Sequence, residues 1–227
     1  MLFPELADRV SRVRARIAAA AERGGRVTDV TIVAVTKTHG PEAAREVWAA
    51  GIRDVGENKV QEALGKMDTV SMPVNWHLIG HLQRNKVRLL GRFSLFHALD
   101  SARLADAIDK LGVERGLPFE VLLQVNASHE GTKGGFEPRQ VADEARRLAG
   151  MHGLKVRGAM TMARIDAPED ELRETFAAAR QAREELAQAG HPSTELSMGM
   201  SDDFEIAVEE GATIVRLGSI LFGARTQ

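Results

Sequence analysis

From residue 31 onward, short apolar runs rich in β-branched residues alternate with segments whose apolar positions recur every three or four residues. The runs predict strands at 31–36, 52–55, 75–79, 95–99, 119–125, 155–161, 195–198 and 213–217. Several are almost continuously apolar, such as Ile32-Val33-Ala34-Val35 and Val121-Leu122-Leu123, as expected of strands buried on both faces of a parallel sheet. Between them, Leu104, Ile108 and Leu111 share one helical face, and Val141, Ala145 and Leu148 share another. Pro168 followed by Glu169, Asp170 and Glu171 marks a helix start, because acidic side chains there complement the helix dipole. Leu6, Val10, Val13 and Ile17 predict one further helix ahead of the first strand.

Eight strands, each followed by a helical segment, predict an α/β protein with a (β/α)8 TIM barrel and an extra N-terminal helix. An open doubly wound sheet is the alternative that strand counting leaves standing. No shift in composition divides the chain, so residues 1–227 are expected to form a single domain.

Composition narrows the function. Thirty basic against thirty-two acidic side chains give a formal charge of -2, which does not favour a nucleic-acid binder. Cysteine is absent, and with it any disulfide, thiolate metal site or thiol nucleophile. The N-terminus lacks the basic and apolar regions of a signal peptide, and no apolar run reaches the roughly 20 residues of a membrane helix. The expectation is a soluble, cytoplasmic protein. Tyrosine is also absent.

Ligands of parallel α/β folds gather at the carboxyl ends of the strands. There this sequence places Lys37, Gly56-Glu57-Asn58, Gly80-His81, Asp100-Ser101, Asn126, Met160-Thr161, the stretch from Ser197 to Ser201, and Arg216-Leu217-Gly218-Ser219. Lys37 reads either as a solvated lysine or as a desolvated amine able to condense with a carbonyl ligand. Gly199-Met200-Ser201-Asp202 and Gly218-Ser219 each lead into a helix, where exposed amides attract an anion, and barrels often bind phosphate after strands seven and eight. Alternatively, Ser201 and Asp202 only cap that helix, with Glu205 completing a capping box from Asp202. Asp202 and Asp203 oppose an anion there unless they point away. Arg216 interrupts an apolar strand and needs a partner, either a buried carboxylate or a ligand at the barrel mouth. His77 and His81 straddle a strand end without the glutamate of a zinc-protease helix, so polar packing is favoured over metal. Gly131-Thr132-Lys133-Gly134-Gly135 reads as a flexible loop, with Lys133 a solvated lysine rather than a second amine for a ligand.

Six segments together resemble the pyridoxal phosphate homeostasis family (YggS/PROSC/PLPBP). They are Val33-Ala34-Val35-Thr36-Lys37, Gly56-Glu57-Asn58-Lys59-Val60-Gln61-Glu62, the run from Trp76-His77 through Asn85-Lys86, Gly158-Ala159-Met160-Thr161-Met162, the run from Leu196 to Asp203, and the run from Arg216 to Gly223. The resemblance covers essentially the whole chain, in order. It implies a fold-type III barrel like the N-terminal domain of alanine racemase, with pyridoxal 5'-phosphate (PLP) at its mouth. It further implies a Schiff base on Lys37, phosphate contacts from Ser201, Gly218 and Ser219, Arg216 facing the pyridine nitrogen, and Asn58 and Met200 lining the pocket. Lys59 departs from the family, where tyrosine is common.

Three functions remain to be weighed. A carrier that buffers or delivers PLP, with PLP-dependent apoenzymes as partners, needs only the lysine and the phosphate loops. A PLP-dependent racemase needs a base on each face of the substrate carbon; the racemase pattern takes one from a tyrosine in a second domain, and neither feature is found in this sequence. A Schiff-base aldolase shares the lysine and phosphate site but is colourless. The carrier is favoured, as a monomer, without robust catalysis.

Overall fold

A computed structural model describes residues 2–26, 29–127 and 134–223; Lys133 lies outside them. Eight parallel strands close in sequence order: β1 (Thr31–Val35), β2 (Asp54–Glu57), β3 (Asn75–Leu78), β4 (Leu95–Leu99), β5 (Phe119–Gln124), β6 (Leu154–Met160), β7 (Glu195–Ser197) and β8 (Ile214–Leu217). β8 returns to pair with β1, Ala34 opposite Leu217, so the sheet is a closed barrel and not an open one. Seven of the strand predictions match within a residue or two at their ends.

The second prediction is displaced. β2 begins at Asp54, two residues later than 52–55, because the Ile52 amide is spent on the Val47 carbonyl at the end of α2 (Pro41–Ala49). Ile52 is buried, but it seals the helix end and does not carry the ladder. Gly56 and Glu57, poor strand formers, carry it instead, with Gly56 opposite both Val35 and His77.

The outer shell follows the predicted periodicity. Leu6, Val10, Val13 and Ile17 of α1 (Leu6–Arg23) are all buried. After α2 come α3 (Val60–Met67), a 3-10 segment (Arg84–Arg92), α4 (Ala102–Arg115), a 3-10 turn (Pro138–Gln140), α5 (Val141–Ala149), α6 (Glu169–Gln188), α7 (Phe204–Glu209) and the short α8 (Ser219–Phe222). Pro168 is the N-cap of α6, with three acidic residues in the first turn. α1 is tied to α7 by Arg16–Glu205 at 2.7 Å and Arg23–Glu209 at 2.7 Å. The alternative capping box from Asp202 does not form. α7 starts at Phe204 with Asp203 at its N-cap, and Glu205 turns outward to Arg16 instead of back to Asp202.

Candidate functional site

The register of β1 and β8 assembles the mouth. With Ala34 opposite Leu217, the chain emerging from β1 toward Lys37 rises beside the chain emerging from β8 into Gly218 and Ser219. Half-buried Lys37 lies in a tight turn between Thr36 and Thr38, whose φ of 71° is unusual for a β-branched residue. The turn is gripped from both sides. Lys66 of α3 donates to the Thr36 carbonyl at 2.9 Å, to Glu57 Oε1 at 2.6 Å and to Glu62 Oε1 at 2.9 Å. The Thr36 hydroxyl donates to Glu57 Oε1, and the Thr38 amide donates to Glu62 Oε1 at 2.9 Å.

Glu57 is fully buried, and its Oε2 has no hydrogen-bond partner among the described residues. Burial pushes its carboxyl above the usual range, and the bonds from Lys66 and Thr36 only partly offset this. Burial also acts to raise Glu62, but bonds from Lys66 and the Thr38 amide outweigh it and hold that carboxyl low. His39, two residues beyond Lys37, forms a three-ring cluster with Phe3 and Phe222, their centroids 5.3 and 4.9 Å from its own.

Beyond β7 the chain turns at Gly199, with φ 92°, where a Cβ would also strike Ala207. This turn presents Met200 and Ser201, both half-buried, beneath Gly218. Ser201 Oγ accepts the Gly218 and Ile220 amides at 3.4 and 3.3 Å, long bonds that a more charged acceptor would replace. A Cβ at Gly218 would meet only Val35, at 3.7 Å. Packing therefore does not demand glycine there, and its amide is held by the long bond to Ser201. Neither aspartate crowds this cradle: Asp202 is exposed, and Asp203 Oδ1 accepts the Met200 amide. Burial raises the Asp203 carboxyl, against that hydrogen bond and the attraction of Arg216.

Arg216 is buried with no carboxylate in contact among the described residues. Its Nη1 donates to Ser197 Oγ at 2.7 Å and its Nη2 to the Thr161 carbonyl at 2.9 Å. These bonds use two of the five N–H donors of a guanidinium. Desolvation pushes its pKa down to about 10, with Asp203 opposing, so it stays cationic at neutral pH. Asn58, half-buried, directly follows β2, and its carbonyl is in such close contact with Gly80 that a side chain there would clash. Lys59 is exposed.

The two histidines of the β3 segment part company. His81 is on the rim, bonded to Asp100 at 2.7 Å, whereas His77 points into the barrel. His77 Nε2 is 3.0 Å from Asp54 Oδ1, and its Nδ1 is 2.8 Å from His97 Nε2. His97 Nδ1 is 2.9 Å from Ser197 Oγ.

The site thus offers a lysine on a turn held from both sides, backbone amides engaged only by long bonds to Ser201, and a guanidinium with no carboxylate in contact among the described residues. That donor set fits a phosphorylated carbonyl compound. The model of the alanine racemase N-terminal domain matches residues 9–226. The pyridoxal phosphate homeostasis protein of Aquifex aeolicus is 42% identical over 223 residues, covering 96% of this chain and 97% of that one. The chain belongs to the pyridoxal phosphate homeostasis family. PipY of Synechococcus elongatus, solved without and with PLP, superposes with TM-scores of 0.86 and 0.83 at 37% and 36% identity, covering 96% of this chain and 100% of PipY in each case. Alanine racemase from Corynebacterium glutamicum shares the fold at a TM-score of 0.73 and 16% identity, matching 94% of this chain and 62% of the racemase.

For this member of the homeostasis family, the mouth brings together Lys37, Ser201, Gly218 and Ser219, with Arg216 below them. Sequence reasoning did not find Lys66, His97 or the interior role of His77 and Ser197. Two signals were available: the Glu62–Lys66 spacing of four on α3, and a histidine at the third position of both β3 and β4.

Proposed function

We propose that this chain, acting as one unit over residues 1–227, binds pyridoxal 5'-phosphate and buffers or delivers it in the cytoplasm, without robust catalysis. When bound, PLP supplies an electrophilic aldehyde and an aromatic electron sink. Lys37 would hold the aldehyde carbon; Ser201 Oγ and the amides of Gly218 and Ser219 would hold the phosphate; Asn58 and Met200 would line the ring. Arg216 would face the ring nitrogen. The observation that carries this reading is the placement of Lys37 and a cradle of weakly bonded amides beyond adjacent strands, β1 and β8.

Arg216 argues for holding over turnover. Its lowered pKa of about 10 keeps it protonated at pH 7, so it donates a hydrogen bond to a facing nitrogen and gives up no proton. A ring nitrogen left unprotonated is a weak electron sink. Racemisation also requires a second base, and this sequence has no tyrosine to provide the one that the racemase pattern uses.

PLP bound by PipY and the similarity to the Aquifex pyridoxal phosphate homeostasis protein support the same reading. The partners are then PLP itself and apoenzymes that need it, with no nucleic acid or membrane. The deciding experiment is to mix protein and PLP, reduce with borohydride, and map the pyridoxyl group. Label on Lys37, with negligible racemisation of alanine, supports the carrier; label elsewhere, or rapid racemisation, rejects it. Light scattering checks the monomer.

A further inference from the structure

The barrel interior contains a line of polar side chains of which the binding site uses only the last, Arg216. It runs from Asp54, the first residue of β2 at the base, through His77, His97 and Ser197 to Arg216 near the mouth, with successive separations of 3.0, 2.8, 2.9 and 2.7 Å. His77, His97, Ser197 and Arg216 are all buried. At the base, Asp54 opens on a cleft of about 400 Å³ whose lining includes Arg14, Asp29 and Arg53.

Chemistry sets the direction of each bond. Arg216 has donors only. At the other end, burial acts to raise the Asp54 carboxyl, but the hydrogen bonds it accepts from His77 and Asn75 hold it below the usual range, so the group is ionised and can only accept. A neutral His77 therefore donates through Nε2 and accepts at Nδ1. His97 must then donate through Nε2 and accept at Nδ1 from the Ser197 hydroxyl, which in turn accepts from Arg216. Every link is satisfied with both rings neutral, and hydrogen bonds run one way from cation to anion. Desolvation, with His77 and Arg216 adding to it, holds His97 well below the usual imidazole pKa, so that ring stays neutral.

We propose that Asp54, His77, His97 and Ser197 form a switchable relay, in which uptake of one proton at His77 reverses the two central hydrogen bonds, His77–His97 and His97–Ser197, that lead to Arg216. In the protonated state both His77 nitrogens carry hydrogen. His97 keeps its single hydrogen but on Nδ1, with Nε2 accepting from His77. Ser197 Oγ then receives bonds from both His97 and Arg216, and its own hydrogen turns away. The net change is one proton from water. The charged groups facing the line are Asp54 at His77, Arg216 at His97, and Asp203 at Arg216. The consequence for PLP rests on the function proposed above: Ser197 and His97 are positioning residues for the guanidinium, and their reversal alters what it offers the ring nitrogen.

The test uses side-chain nitrogen NMR of the cofactor-free, 15N-labelled protein, so its outcome is independent of PLP binding. On acidification, His77 gains its second hydrogen and His97 exchanges its Nε2 hydrogen for Nδ1, with one shared midpoint. In Asp54→Asn both midpoints move down together by about one pH unit, because the carboxylate that favours charged His77 is gone. Asp54→Asn does not touch His97, so a purely structural role leaves the His97 transition where it was. A wild-type His97 that keeps one tautomer throughout, or that changes at a midpoint separate from His77, overturns the relay whether or not the variant folds.

Discussion

Lys66 Nζ lies 2.6 Å from Glu57 Oε1 beneath the turn that bears Lys37, and both side chains are buried. Burying such a pair costs desolvation energy that the attraction need not repay, so stability alone does not explain it. Its other bonds suggest its use. Through Thr36, Glu62 and Thr38 the cluster fixes the backbone on either side of Lys37, so the amine stands on a rigid base.

Lys66→Met leaves Glu57 and Glu62 without their cation. The expected loss is about 3–5 kcal/mol of unfolding free energy in urea. Lys66→Met combined with Glu57→Gln recovers much of it, since the strongest uncompensated charge is gone; equal losses in the two variants would contradict this account.

The amide cradle separates phosphate from ring recognition. A methyl at Gly218 has room in the fold, meeting only Val35 at an ordinary 3.7 Å, and sits on the residue whose amide Ser201 Oγ now accepts. Gly218→Ala is expected to weaken PLP binding about tenfold, near 1.4 kcal/mol, while leaving pyridoxal, which lacks the phosphate, unchanged. Fluorescence titration with the two ligands makes the comparison.

His97 adds an acid-side dependence of stability. Its folded pKa is depressed and its unfolded value is near 6.5, so below that pH the unfolded chain binds the extra proton. The stability it permits is full above about pH 6.5 and is lost as pH falls, at up to about 1.4 kcal/mol per unit. Urea unfolding between about pH 7.5 and 5 measures the slope; His97→Gln should reduce it by as much as one proton.

Gly112 of α4 is pressed against the backbone ahead of β6: a Cβ there would overlap the Gly153 carbonyl, and a Cβ on Gly153 would overlap Asp109. Gly112→Ala must push helix and loop apart, at about 1–3 kcal/mol. Thermal unfolding reports it, with Gly65→Ala, which meets nothing within 4 Å, as the tolerant control.

The rim positions of the proposed site were legible along the chain because they obey local rules. Lys37, Asn58, Ser201, Arg216, Gly218 and Ser219 each sit at or just beyond a strand end, where a parallel barrel must present its ligand side. The β2 boundary was misread because Ile52 is apolar and buried for a different reason, sealing α2. The alternative of an Asp202–Glu205 capping box fails because the helix starts one residue later, at an Asp203 N-cap, and Arg16, on a helix nearly two hundred residues earlier, claims Glu205.

Alternating hydrophobic periods, small residues at turns and a charge within an apolar strand are properties of neighbours in sequence, and they were enough to determine the barrel and its rim. The line from Asp54 to Arg216 belongs to the tertiary structure alone. His97 and Ser197 stand 100 residues apart, and only closure of the sheet through β8 and β1 turns both into one interior. In that space water is excluded, so each buried polar atom must find its partner across the barrel and not along the chain.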